Sequence, residues 1–152
     1  MIQEIHLDNK RIEYYGTLLP GNWEMFWSST IGPNASQGGT CISIAEKLSS
    51  FIVEKKVLLP GKGQCVVFQD EDVIWELLNV YAPNHASTRE NFWKDILNAL
   101  LVVWHWCVAG DFNMLEDQDD RSGGSIMTIR GEELTCWERL CFTLHISDVW
   151  SM

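Results

Sequence analysis

Apolar runs that stop abruptly in polar side chains organise this chain. Val73 to Tyr81 is nearly continuous in apolar residues, the pattern of a central strand buried on both faces. It runs into Asn79-Val80-Tyr81-Ala82-Pro83-Asn84, where Pro83 and Asn84 should end it. Trp106 to Gly110 is a second strand-like run and stops at Asp111-Phe112-Asn113. Between the two, Phe92, Trp93, Ile96, Leu97, Leu100, Leu101 and Trp104 recur at helical spacing and predict an amphipathic helix. Ser87-Thr88-Arg89-Glu90 reads as its capping box.

Upstream, Thr40 to Ile44 alternates like a half-buried strand. Phe51 to Leu59, the turn Pro60-Gly61 and Gln64 to Phe68 read as a hairpin. Gly32 to Gly39 and Glu116 to Gly124 read as loops. Arg130 to Thr143 predicts a second helix with Leu134, Trp137, Leu140 and Cys141 inward. Strands come first, then strand, helix, strand, helix. That order predicts an α/β (α+β) domain with a mixed sheet and flanking helices.

Composition narrows the function. The chain has 152 residues, 46% of them apolar, with eight Trp. That suits one packed domain and excludes disorder. No apolar run is long enough to span a bilayer, and Met1-Ile2-Gln3-Glu4 does not begin a signal peptide. An intracellular protein, not secreted and with no membrane partner, is the expectation. Eleven Lys and Arg stand against 21 Asp and Glu, a net charge of -10. So acidic a surface weakens any sequence-independent hold on nucleic acid. The five cysteines show no CxxC spacing and the four histidines no metal spacing. Buried thiols are the expectation, rather than a disulfide framework or zinc site.

The strand ends carry the candidate chemistry. Asp111 and Asn113 lie two apart, so in an extended segment they share a side. A carboxylate there can orient or deprotonate water, and a carboxamide can donate to a phosphate oxygen. The same pair can equally cap a turn through Asx hydrogen bonds. Gly110 removes a side chain where the chain turns or a ligand approaches. Tyr81 can donate to a phosphoryl oxygen or stand as a packed aromatic. Asn79, two residues earlier, should face the same side as Tyr81. An EF-hand does not fit, because Leu115 and Glu116 occupy positions that need an oxygen ligand and Gly.

Taken together, Leu78 to Asn84, Phe92-Trp93, Ala109-Gly110-Asp111-Phe112-Asn113 and Asp120-Arg121-Ser122-Gly123-Gly124 resemble the endonuclease/exonuclease/phosphatase superfamily. The nearest likeness is to the apurinic-endonuclease-type domain of plant LINE-type (non-LTR) retrotransposons. The resemblance implies a four-layer α/β sandwich. It also implies Mg²⁺-assisted or Mn²⁺-assisted hydrolysis of a phosphodiester, DNA as the partner, and a nuclear setting. Gln3-Glu4-Ile5-His6-Leu7 is similar to the family's "Q-E-x-x-L" segment, which makes Glu4 the metal carboxylate. Tyr81 would stabilise the phosphorane-like transition state, Asp111 would activate water, and Asn113 would orient the phosphate or Asp111. Gly38-Gly39-Thr40 is similar to a strand-opening "G-G-V".

The likeness has gaps. The family places a strand with a metal-proximal Asn before "Q-E" and an "S-D-H" strand at the end. Here Gln3-Glu4 comes almost at once after Met1, and Ser147-Asp148 is followed by Val149. The expectation is therefore a partial domain of residues 1–152, truncated at both ends, with little or no nuclease activity alone. The alternatives are a catalytically dead remnant, or an interaction module that keeps the fold and binds a protein whose identity the sequence does not specify.

Overall fold

The computed structural model describes residues 1–7, 9–18, 21–30, 38–100, 105–115 and 131–147. Its elements run β1 (Ile2–Gln3), α1 (Asn9–Gly16), β2 (Trp23–Ser28), β3 (Thr40–Ala45), a 3-10 turn (Glu46–Phe51), β4 (Ile52–Leu59), β5 (Gly63–Asp70), β6 (Val73–Tyr81), α2 (Ala86–Ala99), β7 (His105–Asp111) and α3 (Gly131–Leu144). The two sheets have orders β1-β3-β2 and β4-β5-β6-β7. The first is antiparallel. In the second, β4-β5-β6 is an antiparallel meander, and β7 joins β6 in parallel through α2. The content is mixed α/β, as the order of patterns predicts.

Alternation along the strands assigns the two faces of the larger sheet. Val66 and Phe68 on β5 and Trp75 and Leu77 on β6 meet Ile42 and Ile44 of β3 between the sheets. Phe68 and Trp75, partners in the ladder, stack with ring centroids 4.1 Å apart. Cys65, Leu78 and Val80 point the other way, onto Phe92, Trp93 and Ile96 of α2 and Trp137 and Leu140 of α3. The described residues thus form three layers, sheet on sheet on helices. The hairpin of β4 and β5 turns at Pro60-Gly61 as expected, with Lys62 N donating to Leu59 O over 2.9 Å.

Several local expectations need correction. The β3 strand keeps the expected alternation from Ile42 to Ala45, with Ile42 and Ile44 buried and Ser43 and Ala45 half-buried, and departs from it only at Thr40 and Cys41, which are both buried. The segment before Ile52 is a 3-10 turn, so the first hairpin strand is shorter than its apolar run. The α1 helix and β2 have no counterpart among the predicted elements. The capping box does not form. The helix starts at Ala86 with His85 as its N-cap and no side-chain cap. The amides of Thr88 and Arg89 instead share the His85 carbonyl, and Glu90 pairs forward with Lys94. The cause lies in Arg89, whose guanidinium takes the Pro83 and Asn84 carbonyls and sets where the helix begins. Leu101, Trp104, the loop from Glu116 to Gly124 with Asp120–Gly124, most of the Gly32–Gly39 loop, and Asp148 lie outside the described residues.

Candidate active site

The ends of β6 and β7 form one platform. Tyr81 and Asp111 are register partners on neighbouring parallel strands, as are Val80 and Gly110. The Ala82 amide extends the pairing by donating to Asp111 O over 2.8 Å. Gly110 is required at this point. Its φ is +150°, and a Cβ there would meet the Val80 carbonyl oxygen at 1.9 Å. Sequence reading placed Gly110 at a close approach, and the close neighbour is the adjacent strand.

Beyond Gly110 the chain turns. Phe112 packs against the touching pair Trp93 and Trp137, with centroids 6.2 and 5.4 Å away. Anchoring that ring in the helix-side core leaves Asp111 exposed. Asn113 is not extended, as alternation assumed. Its φ is +51°, a conformation Asn tolerates better than most residues. Its amide donates to Asp111 Oδ1 over 3.0 Å, and its side-chain Nδ2 donates to Ala82 O over 2.7 Å. The Asx turn therefore exists. Asp111 and Asn113 are held in one cluster by that turn rather than by strand geometry.

Glu4 reaches this cluster from the other sheet. It follows β1, with φ +54°. The segment after it is tied down by His6 N to Gly38 O at 2.8 Å and Ile5 N to Gly39 O at 3.3 Å. Gly39 is close-packed there, since a Cβ would lie 2.5 Å from the Ile5 side chain. The Tyr81 hydroxyl donates to Glu4 Oε1. Asn79 faces the same side as Tyr81, as expected, but is fully buried. It bonds Gln3, Ile2 O and Cys41 O.

This arrangement raises the Tyr81 phenol to about 12. The Glu4 hydrogen bond is the main cause, followed by burial and the negative charges of Glu4 and Asp111. Tyr81 therefore stays protonated at neutral pH and acts as a donor. The thiols of Cys41 and Cys65 are also pushed up to about 12, chiefly by burial. They are inert core groups. All five cysteines are free, and Cys107 is exposed.

Glu4 and Asp111 each use one carboxylate oxygen in these bonds, and the second takes no hydrogen bond among the described residues. Two hard oxygen donors at an open strand end fit Mg²⁺ or Mn²⁺, which commonly take one or two carboxylates and complete the shell with water and phosphate. Among the described residues, no group of three or more His, Cys, Asp or Glu can hold a metal. No described helix is long and apolar enough to cross a membrane.

Sequence reading missed two participants. Gln3 holds Asn79, and its only signal was its place beside Glu4. Arg89 lies buried against Glu133 and holds the loop after Tyr81. Its signal was visible, because Arg89 takes the first place in the Phe92, Trp93, Ile96 stripe. A charge on a buried helix face needs a buried partner. In comparisons with known proteins, no family model and no curated protein matches this chain.

Proposed function

We propose that this chain carries part of a divalent-cation-dependent phosphodiester hydrolase centre, DNA-endonuclease-like and of retrotransposon ancestry, with weak activity on its own. The observation that supports it best is the convergence of Glu4, Tyr81 and Asp111, from two sheets, at one open edge. The ancestry rests on the motif resemblance around those residues.

Mg²⁺ or Mn²⁺ held by Glu4, with Asp111 beside it, would supply charge neutralisation at the phosphate. The protein's own groups divide the remaining work. The exposed Asp111 carboxylate accepts a proton from the attacking water as its oxygen bonds to phosphorus. The bond from phosphorus to the departing sugar oxygen breaks, and that oxygen takes a proton from solvent. Tyr81, kept protonated, would turn its single O–H from Glu4 to a phosphoryl oxygen as charge builds there. Asn113 holds Asp111 through its amide and fixes the loop on Ala82.

Weak activity follows from charge, because a chain of net charge -10 repels a polyanionic substrate. The test is nicking of supercoiled plasmid in Mg²⁺ and in Mn²⁺. The expected result is slow, metal-dependent nicking that falls at least about a hundredfold in Asp111→Ala. Nicking of equal rate in that variant contradicts the assignment.

A further inference from the structure

The geometry points to Gln3 and Asn79 as positioning residues that set the Glu4 carboxylate against Tyr81, through a polar pin between the two sheets. This rests on the reading of Glu4 as the metal carboxylate, but its central element is a set of hydrogen bonds that can be tested without metal.

The β1 strand is only two residues long, Ile2 paired with Cys41 and Gln3 with Thr40. So short an edge strand is a poor platform for a residue that must be held accurately. Glu4 comes directly after it and adopts a left-handed conformation that L residues avoid. Something beyond the ladder must hold it.

Asn79 supplies that hold. Its Oδ1 accepts from Gln3 Nε2 over 2.6 Å. Its Nδ2 donates to Cys41 O over 3.0 Å and to Ile2 O over 3.3 Å. One carboxamide on β6 therefore grips the side chain of Gln3 and the backbones of β1 and β3. Both of its N–H donors and its carbonyl are satisfied, which a fully buried amide requires. Along the inward face of β6 the sequence is Trp75, Leu77, Asn79, Tyr81. The first two are apolar contacts with the small sheet, the third is the pin, and the fourth is the site. Residues two apart on a strand share a face, so the pin lies next to the Tyr81–Glu4 bond. An apolar residue at 79 could pack the sheets but could not fix the register of β1 against β6, and Glu4 would lose its aim.

The test is a double-mutant cycle of Glu4→Ala and Tyr81→Phe, read by urea unfolding of the full chain. It is run in the wild-type background and with Gln3→Leu, which keeps bulk but removes the donor. Wild type is expected to show coupling of about threefold to tenfold in the unfolding constant, within the range for contacting pairs. In Gln3→Leu the coupling should fall to about onefold. Gln3→Leu can also lower stability, but a purely structural Gln3 would leave the coupling intact, and that result overturns the inference. Asn79→Asp keeps the side chain's shape and loses the donors to Ile2 and Cys41, so it should also abolish the coupling. If Asn79→Asp does not fold, the Gln3→Leu cycle decides alone. A parallel Mn²⁺ titration separates the two readings. Wild type that binds no Mn²⁺ but keeps Gln3-dependent coupling refutes the metal role of Glu4 and supports the pin.

Discussion

A Cβ on Gly110 would lie 1.9 Å from the Val80 carbonyl oxygen and 2.8 Å from its carbon, and neither is free to move inside a paired strand. Gly110→Ala must therefore push β7 away from β6 or break the Ala82 to Asp111 bond. A loss of at least about 3 kcal/mol is expected, since overpacking and backbone strain add here. In a chain of this length that lowers Tm by roughly 6–12 °C. A melting curve within about 2 °C of wild type would show that the close approach is not rigid. Tyr81 poses a gentler question. Tyr81→Phe removes the donor and keeps the ring, so the fold should survive while plasmid nicking drops about tenfold or more. Unchanged nicking would remove Tyr81 from the site. The sequence made Tyr81, Asp111 and Gly110 legible because each stands at the end of an apolar run. It did not show Asn113 turning left-handed, since two-residue alternation describes strands and the strand has already ended at Asp111.

The two helices meet over a buried ion pair. Arg89 on α2 and Glu133 on α3 are 8% and 5% exposed, and the pair is joined by the Arg89 Nε to Glu133 Oε1 bond. Glu133→Leu leaves a buried, unpaired guanidinium. That costs roughly 3–5 kcal/mol. Arg89 also carries the Pro83 and Asn84 carbonyls, at 3.1 and 2.7 Å, so the cost should reach the loop after Tyr81. Urea unfolding measures the loss, and amide exchange at residues 85 to 89 should rise with it. A change under about 1 kcal/mol would mean that the pair is neutral in the fold. Strands β4 to β7 were readable as mostly apolar runs bounded by turn or polar residues, and both long helices by their helical period. The α1 helix was not, because its eight residues, Asn-Lys-Arg-Ile-Glu-Tyr-Tyr-Gly, are mostly polar and too few for a helical period to stand out. The β2 strand was missed because Trp-Glu-Met-Phe-Trp-Ser crowds aromatics without alternation. Ser87 to Glu90 matched a capping box by spacing, and tertiary contacts of Arg89 overrode it.

At the level of the whole molecule, one buried acid makes stability depend on pH. Glu76 is 3% exposed on the helix-facing side of β6, beside a small cavity lined by Glu54, Lys56, Cys65, Ala99 and Leu100. Burial, reinforced by the Glu54 charge and opposed by Lys56, raises its carboxyl from 4.5 to about 7. Folding thus favours the protonated form. Its contribution to stability is complete below about pH 4.5, shrinks between 4.5 and 7, and is gone above 7. Glu76→Gln is neutral throughout, so its Tm advantage over wild type should grow from pH 5 to pH 8. An advantage that stays flat across that range would show that Glu76 does not titrate there. The larger claim is that the divalent cation proposed for phosphodiester cleavage is held by Glu4, with Asp111 beside it on the neighbouring strand end. Mn²⁺ binding to the full chain, followed by electron paramagnetic resonance, tests it most directly. Saturable binding at one site, weakened at least about tenfold in both Glu4→Ala and Asp111→Ala, is the predicted result. Wild type without saturable binding, or binding that both variants keep at full strength, would contradict it.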